Sequence, residues 1–497
     1  MAEAKKILML TNSEHGQANV FLATAHELLQ LDQTANVYIC SFPALGPSVD
    51  CIRDLNNKKL ADSRLDFISL AGPSWKDALF GRPEHQFQEL NDIRPTVWNV
   101  AKAAKLTRIA CPWTAEELCS LVKEIEKIIE NVNPDLTVVD NLFTPAVTIC
   151  YKLKPQWMVL SPNTYKEFAL AKQPNQQYYW KYPPPRSTIP FPVPWYQMPL
   201  VWYMVRKMYL NHNDPFMLEH AEKMKKAIDT DYADWAYISI IPPEGLKILL
   251  ASRPEIDFPF DVKPEHMIPC GPIIRPSVPI QDADSELAGW LAKRPTVLVN
   301  LGTHASYDEQ HARGMAGALD QLLEAGKKCE KPIQVLWKLN KRDGSDASGD
   351  LLKSFTTKWS QDLRVVSWLD VEPTSILESG HVVCSVNHGG ANSFFEAVRQ
   401  LTGRQNSAGV PQVILPVWGD TYDFAKRAEW LGIGKFGSWN HAPKVEANEL
   451  GRVLKQVVLG PQSSKFQAKA TELAALCRQD GGGRRTAAQT ILNAIEK

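Results

Sequence analysis

The sequence predicts an α/β protein of two doubly wound halves, each a parallel sheet flanked by helices. Three observations carry this expectation. Compact apolar runs alternate with helical patterns through the first third of the chain, the same alternation resumes after Ala292, and a proline-rich stretch lies between. At 497 residues the chain is also too long for one ordinary core. The expected boundaries are a first domain over 1–245 with an insert at 163–243, and a linker region over 246–292. A second domain over 293–478 and a closing helix over 479–497 complete the chain.

In the first half, strands are expected at Lys6–Thr11, Asn36–Phe42, Leu65–Ala71, Asp135–Asp140 and Gln156–Ser161. Each is apolar without alternation, the pattern of a strand buried on both faces. Helical patterns cover Asn19–Leu29 and Thr114–Asn131. The second opens on Thr114 with Glu116 and Glu117 in the first turn, where acidic groups meet the positive end of the helix dipole. From Asn163 to Pro243 the chain is dense in Pro, Trp and Tyr and too proline-broken for a long regular element. It reads as an irregular cap on the first domain, with aromatic area to wall a pocket for a planar ligand. Pro272–Ala292 reads as hinge. Strands are then expected at Thr296–Leu301, Ile333–Leu339, Arg364–Trp368, Val382–Val386 and Gln412–Pro416, and a glycine break at Gly481–Gly483 leads into a last amphipathic helix.

Composition narrows the function. Lys plus Arg and Asp plus Glu both number 55, which removes the overall electrostatic case for a nucleic-acid or anionic-membrane binder, although a local basic patch is compatible. Nine cysteines stand singly, with no CxxC pair and no ligand spacing for zinc. Ile7–Leu10 is too short an apolar run for a signal-peptide core. Val193–Leu210, the nearest approach to the roughly 20 apolar residues of a spanning helix, is interrupted by Pro194, Gln197, Pro199, Arg206 and Lys207. The expectation is a soluble cytoplasmic protein without stable membrane insertion.

The densest chemistry lies in the second half. The strand ending at Val386 runs into Asn387, His388, Gly389 and Gly390, and a helix opens near Asn392 and Ser393. Glycines at such a turn let a ligand approach the backbone, and the helix start offers free N–H groups and a positive dipole end. A phosphate or diphosphate suits that turn. His388 adds a donor, and Glu396, one turn on, is placed to accept from vicinal hydroxyls. The plainer reading is that Gly-Gly only caps a tight turn and Asn-Ser only caps the helix.

Neighbouring residues weigh against the plainer reading. Trp368 and Leu377 precede the turn; Gly409-Val410-Pro411, Pro416, Asp420, Ala425 and Gly432-Ile433-Gly434 follow it. The stretch Trp368–Gly434 resembles the nucleotide-sugar signature of UDP-dependent glycosyltransferases, the family of plant secondary-product and vertebrate glucuronosyl enzymes. Cys270-Gly271-Pro272-Ile273, Trp290-Leu291, Asn300-Leu301-Gly302-Thr303 and Val335-Leu336-Trp337-Lys338 fit the same family in order, with spacing closest to fungal members.

The resemblance implies a GT-B fold, two facing Rossmann-like domains with the active site in the cleft between them. It implies that Trp368 stacks on uracil and that Glu396 holds the ribose. Thr303, His388, Asn392 and Ser393, with Gly390, would bind the diphosphate. Asp420 would take the sugar hydroxyls, with Thr421 beside it in place of the family's usual Gln. Two further departures are a slightly lengthened segment after Trp368 and an apparent insertion over Gln400–Ala408. The family also places a catalytic His after the first strand, bonded to an Asp at the end of a later one. Asp140 matches the Asp. A gapless match puts Gln17 at the His position, with His15 two residues earlier. Only the imidazole accepts a proton at neutral pH, so His15 is the expected base.

The implied reaction is inverting transfer of a sugar, glucose first, from a UDP-sugar to a hydroxyl of a small hydrophobic acceptor such as a phenolic polyketide or flavonoid. No metal or further cofactor is expected, and no nucleic-acid partner. Gln17 keeps open a non-catalytic accessory subunit that binds nucleotide sugar, and a sterol or lipid acceptor stays open as well. A nicotinamide-dependent enzyme is disfavoured because no GxGxxG follows the first strand. Asp282-Ala283-Asp284 reads as solvated hinge rather than metal site, Gly481–Gly483 with Arg484 and Arg485 as a flexible lead into the last helix, and His26 as structural. His304 is a further loop candidate.

Overall fold

The computed structural model describes residues 4–56, 63–82, 93–99, 107–210, 215–303, 305–342, 350–398 and 409–496. The first sheet holds β1 (Lys5–Leu10), β2 (Ala35–Ser41), β3 (Leu65–Ser69), β4 (Leu136–Asp140), β5 (Trp157–Ser161), β6 (Lys247–Leu250) and β7 (Met267–Pro269) in the order β3-β2-β1-β4-β5-β6-β7. Every pair is parallel. Alternate residues of β1 serve opposite faces: Ile7 and Met9 join one hydrophobic cluster, Leu8 and Leu10 another. That is why its apolar run does not alternate. The helices follow from equally local signals. Thr114 caps the Ala115–Val132 helix through a reciprocal box with Glu117, one residue beyond the Glu116 that also sits in the first turn.

The second sheet holds β8 (Thr296–Asn300), β9 (Gln334–Lys338), β10 (Leu363–Val366), β11 (Val382–Asn387), β12 (Gln412–Ile414) and β13 (Gly434–Phe436), ordered β10-β9-β8-β11-β12-β13 and again all parallel. The two-half α/β architecture is therefore the one the sequence predicts. Three details differ. β6 and β7 extend the first sheet to Pro269, so the first domain runs past residue 245 and the linker is shorter than 246–292. β10 stops at Val366, which leaves Trp368 in the loop beyond it. The proline-rich insert is more regular than expected, with helices at Met198–Leu210 and Pro215–Ile228, because its prolines cluster before residue 200.

Two of the contacts that join the halves stand out among the described residues. The Gly483–Ile495 helix lies on the His15–Leu31 helix of the first domain, pinned by Arg484 Nε to Glu27 at 2.9 Å and by Lys5 to Glu496 at 2.7 Å. A Cβ on Gly483 would sit 2.3 Å from the Gly271 carbonyl oxygen, so the helix start packs where only glycine fits. The second contact is the Thr421–Trp430 helix, which carries a buried ion lattice into the first domain. Arg427, fully buried, meets Asp257 at 2.9 Å and donates to the Thr164 hydroxyl at 2.8 Å. Lys166 meets Asp423 at 2.6 Å, and Lys426 meets the same carboxylate at 3.0 Å while donating to the Ser187 carbonyl. Each of these charges is compensated where it lies, the condition for burying it.

Candidate functional site

In each sheet the strand order reverses beside one pair: β1 and β4 in the first, β8 and β11 in the second. The carboxyl ends of strands at such a switch point diverge and leave a crevice for a ligand. On the second-domain side, both strands end in asparagine. Asn300 Oδ1 accepts from the Gly302 amide at 3.1 Å and Asn387 Oδ1 from the Gly389 amide at 2.8 Å, each folding the next turn. Gly302 and Gly389 both have φ of +79°, and a Cβ on Gly389 would lie 2.7 Å from the Thr421 carbonyl oxygen. His388 wedges between the two turns: a Cβ on Gly390 would come within 2.4 Å of its ring and one on Gly302 within 2.7 Å. The Trp418 ring lies beside it, 5.1 Å between centroids. The Ala391–Val398 helix opens directly after Gly390, with Asn392, Ser393 and Glu396 half-buried along it. Thr303 is exposed in the β8 turn.

Trp368 is 54 % exposed, and Lys338 Nζ lies 3.7 Å from its ring centroid. Lys338 ends β9, is buried, and donates to the Gly302 carbonyl at 3.2 Å. Desolvation lowers its pKa below the ordinary lysine value. The lysine thus ties the indole to the turn that carries Thr303. At the other end of the crevice, burial pushes the Asp420 carboxyl up to about 7, helped by the Glu167 and Asp423 carboxylates.

Facing these is the β1 turn. His15 stands exposed at the first position of its helix. Desolvation by the surrounding cleft, then the Arg275 charge, lower its imidazole below the ordinary value; Asn19, Glu372 and Glu14 oppose them. Its backbone carbonyl accepts from Asn392 Nδ2 at 2.8 Å, which brings the starts of two helices from opposite domains together.

A sequence profile of the family described as UDP-glucoronosyl and UDP-glucosyl transferase matches residues 62–468. The chain is a member of the UDP-glycosyltransferase family. It is 34% identical to the glycosyltransferase sdnJ of Sordaria araneosa over 98% of this chain and 97% of that one. It is 23% identical to an erythritol-mannosyl-transferase of Pseudozyma antarctica over 96% and 89% respectively. Among solved structures it shares its fold with a UDP-glucosyltransferase from Polygonum tinctorium at a TM-score of 0.64, 16% identity and full coverage of both chains. It shares it too with Phytolacca americana UGT2 bound to UDP-2-fluoro-glucose and pterostilbene, at 0.62, 16% identity and full coverage of both. The fold of this UDP-glycosyltransferase is accordingly GT-B.

The structure departs from two sequence expectations within this site. Asp140 does not bond His15. Its fully buried carboxylate accepts from Thr11 Oγ1 at 3.1 Å, Asn12 Nδ2 at 2.9 Å and the Leu142 amide at 2.9 Å, and burial raises its pKa to about 6. Asn12 passes the constraint on, accepting from the Glu14 amide at 2.8 Å, so Asp140 shapes the turn that presents His15. Nor does Thr421 reach the crevice. Its side chain is fully buried, accepting from the Val417 and Trp418 amides at 3.1 Å and donating back to the Trp418 carbonyl. Those amides belong to the loop that leads into the helix, and a hydroxyl that both accepts from them and donates to the Trp418 carbonyl keeps their polar groups satisfied while buried.

Other candidates settle into structural places. Asp284 caps the Ser285–Leu291 helix, and His26 is held by Asn56 with its pKa lowered to about 4 by burial and Arg484. His304 and Gln400–Ala408 lie outside the described residues. Among the described residues no group of three His, Cys, Asp or Glu is placed to hold a metal ion, and no helix is long and apolar enough to cross a membrane. Sequence reasoning missed Lys338 and Asn12. The signal for Lys338 was a cation closing a strand otherwise apolar, in register with Asn300.

Proposed function

We propose that this UDP-glycosyltransferase moves a hexose, glucose first, from UDP to a hydroxyl of a small hydrophobic acceptor with inversion at the anomeric carbon. The observation that carries this reading is the 2.8 Å bond between Asn392 and the His15 backbone carbonyl, which holds the residue with the β1-turn imidazole beside the donor helix start. UDP lies with uracil on Trp368, its ribose at Glu396, and its diphosphate over Gly390, Asn392, Ser393, His388 and Thr303. Asp420 receives sugar hydroxyls. Lys338 braces the indole.

The acceptor oxygen bonds to the anomeric carbon as the bond to the diphosphate breaks, and the acceptor proton passes to His15. A lowered imidazole pKa leaves His15 neutral and able to take it at pH 7. Charge accumulates on the leaving diphosphate, where the helix start and His388 stabilise it most in the transition state. No metal is required in this reading, because those groups carry the charge themselves. A phenol, with pKa about 10, loses its proton to one imidazole more readily than an alcohol does, so phenolic polyketides and flavonoid-like molecules lead the acceptor class. Work of this kind on soluble acceptors suits the cytoplasm.

A second reading has one observation in its favour. Asp140 gives its carboxylate to Thr11 and Asn12 and makes no bond to His15, which fits an accessory subunit that binds UDP-sugar without turnover. Calorimetry and a donor-by-acceptor screen separate the two. UDP should bind without added metal and more weakly in His388→Ala, and the screen should yield a conjugate by mass spectrometry. Binding without any conjugate would favour the accessory subunit; unchanged UDP affinity in His388→Ala would reject the assigned donor site.

A further inference from the structure

The proline- and aromatic-rich insert divides into an inner and an outer set. The inner set packs inward: Tyr182 and Phe191 stack on one another and against Phe260 and Phe258. The outer set stands exposed among the described residues. Along the Trp195–Gln197 turn and the Met198–Leu210 helix that continues it, Val201 and Met204 are buried with Ile189 and Val193 in a small cluster of their own. The opposite face leaves Trp195 80 %, Tyr196 63 %, Trp202 51 % and Leu210 60 % exposed, at helical spacing. Val97 packs on the same inner cluster, so the neighbouring Trp98, 83 % exposed, adds to that face. Large aromatics standing free in such number mark an interaction surface rather than ordinary surface noise.

Charge identifies the partner. Between Glu167 and Asp214 the sequence has no Asp or Glu, whereas Lys172, Lys181, Arg186, Arg206 and Lys207 all fall there, in a chain whose total charge is zero. Lys181 is paired with Asp261 and Arg186 is buried, but Arg206 and Lys207 sit on the helix itself, over the rings of Trp202 and Tyr203. Trp and Tyr rings flanked by arginine and lysine suit the boundary between headgroups and acyl chains, with the cations reaching anionic headgroups. The turn and helix together are about 24 Å long, and the outer face alone is apolar, so the element lies flat and does not span.

We propose that this face adsorbs to an anionic lipid bilayer. The test is flotation of the whole protein with vesicles of phosphatidylcholine alone or with phosphatidylserine as the minority lipid. The protein should float with the mixed vesicles, less with phosphatidylcholine alone, and less again as salt rises. Trp195→Ser with Trp202→Ser should cut partitioning by about tenfold or more, and Arg206→Glu with Lys207→Glu should erase the preference for phosphatidylserine. UDP affinity and the circular dichroism spectrum should stay unchanged in both, which separates loss of adsorption from misfolding or a wrong donor site. Absence of flotation overturns the proposal. So does equal flotation of the tryptophan variant, or a wild-type dimer in solution that this variant dissociates.

Discussion

β4 and β11 occupy the same place in their sheets, each next to its sheet's first strand on the side where the order reverses, yet their ends are finished differently. β11 ends in Asn387 and two glycines, and what it offers the crevice is main chain: bare amides, a helix start, and an imidazole wedged between two Cβ-less turns. β4 ends in Asp140, and what surrounds it is side chain: Thr11 and Asn12 close around the carboxylate and hold the next turn in place. Backbone geometry tolerates no substitution and suits a ligand that never varies, such as a nucleoside diphosphate. A side-chain network can be reshaped residue by residue, which suits the wall that meets the acceptor.

The sharpest way to break the contrast is at His15. His15→Ala should lower turnover by about 10² to 10⁴, as loss of a general base does, with little change in UDP affinity by calorimetry. Asp140→Asn should cost turnover through the turn that Asn12 transmits to His15, and an acceptor with an already acidic hydroxyl should suffer least in either variant. If His15→Ala keeps near-full activity on an alcohol while Gln17→Ala is dead, the base lies elsewhere.

A smaller effect belongs to the donor end. If Asp420 takes the sugar hydroxyls as proposed, it does so ionised, and kcat/KM for the UDP-sugar should rise with pH and level off above about 7. Below that point it should fall about tenfold per unit. Asp420→Asn should flatten this limb; a limb that persists would place the titration in another group. The smallest effect is expected at Thr421. Thr421→Val leaves the Val417 and Trp418 amides without their hydroxyl acceptor and should lower stability by about 1–3 kcal/mol in thermal unfolding, with the preference among UDP-sugars unaltered. A changed donor profile would show that the side chain does reach the sugar.

The same contrast explains what could be read from the chain. Ten of the strands announce themselves because each is a solid apolar run, and the Gly389–Gly390 turn does so because strand-glycine-helix has few other uses. β6, β7 and β13 escape notice because punctuating residues border them, β6 following the proline-rich insert, Pro269 closing β7 and Gly434 opening β13. The expected His–Asp pair failed for a different reason. Sequence spacing places Asp140 at the right strand end, but which donor its carboxylate takes is settled by Thr11 and Asn12, which follow directly on the neighbouring strand β1. Thr421 misleads likewise: position along the chain puts it beside Asp420, and only the Val417–Trp418 loop folded back over its hydroxyl turns it inward.

The ion lattice on the Thr421–Trp430 helix bears on how such an enzyme can be recombined. Arg427 and Lys426 belong to the donor half by sequence, yet the carboxylate and hydroxyl that satisfy Arg427 are Asp257 and Thr164 of the other half, and Lys166 reaches across to Asp423. Removing one partner of a buried pair costs about 3–5 kcal/mol, a large share of a domain's net stability. A chimera that joins this donor half to a foreign acceptor half therefore inherits stranded charges unless Thr164, Lys166 and Asp257 travel with it. Modularity in this chain ends not at the linker but at a set of side chains shared between the two halves, which must be inherited together.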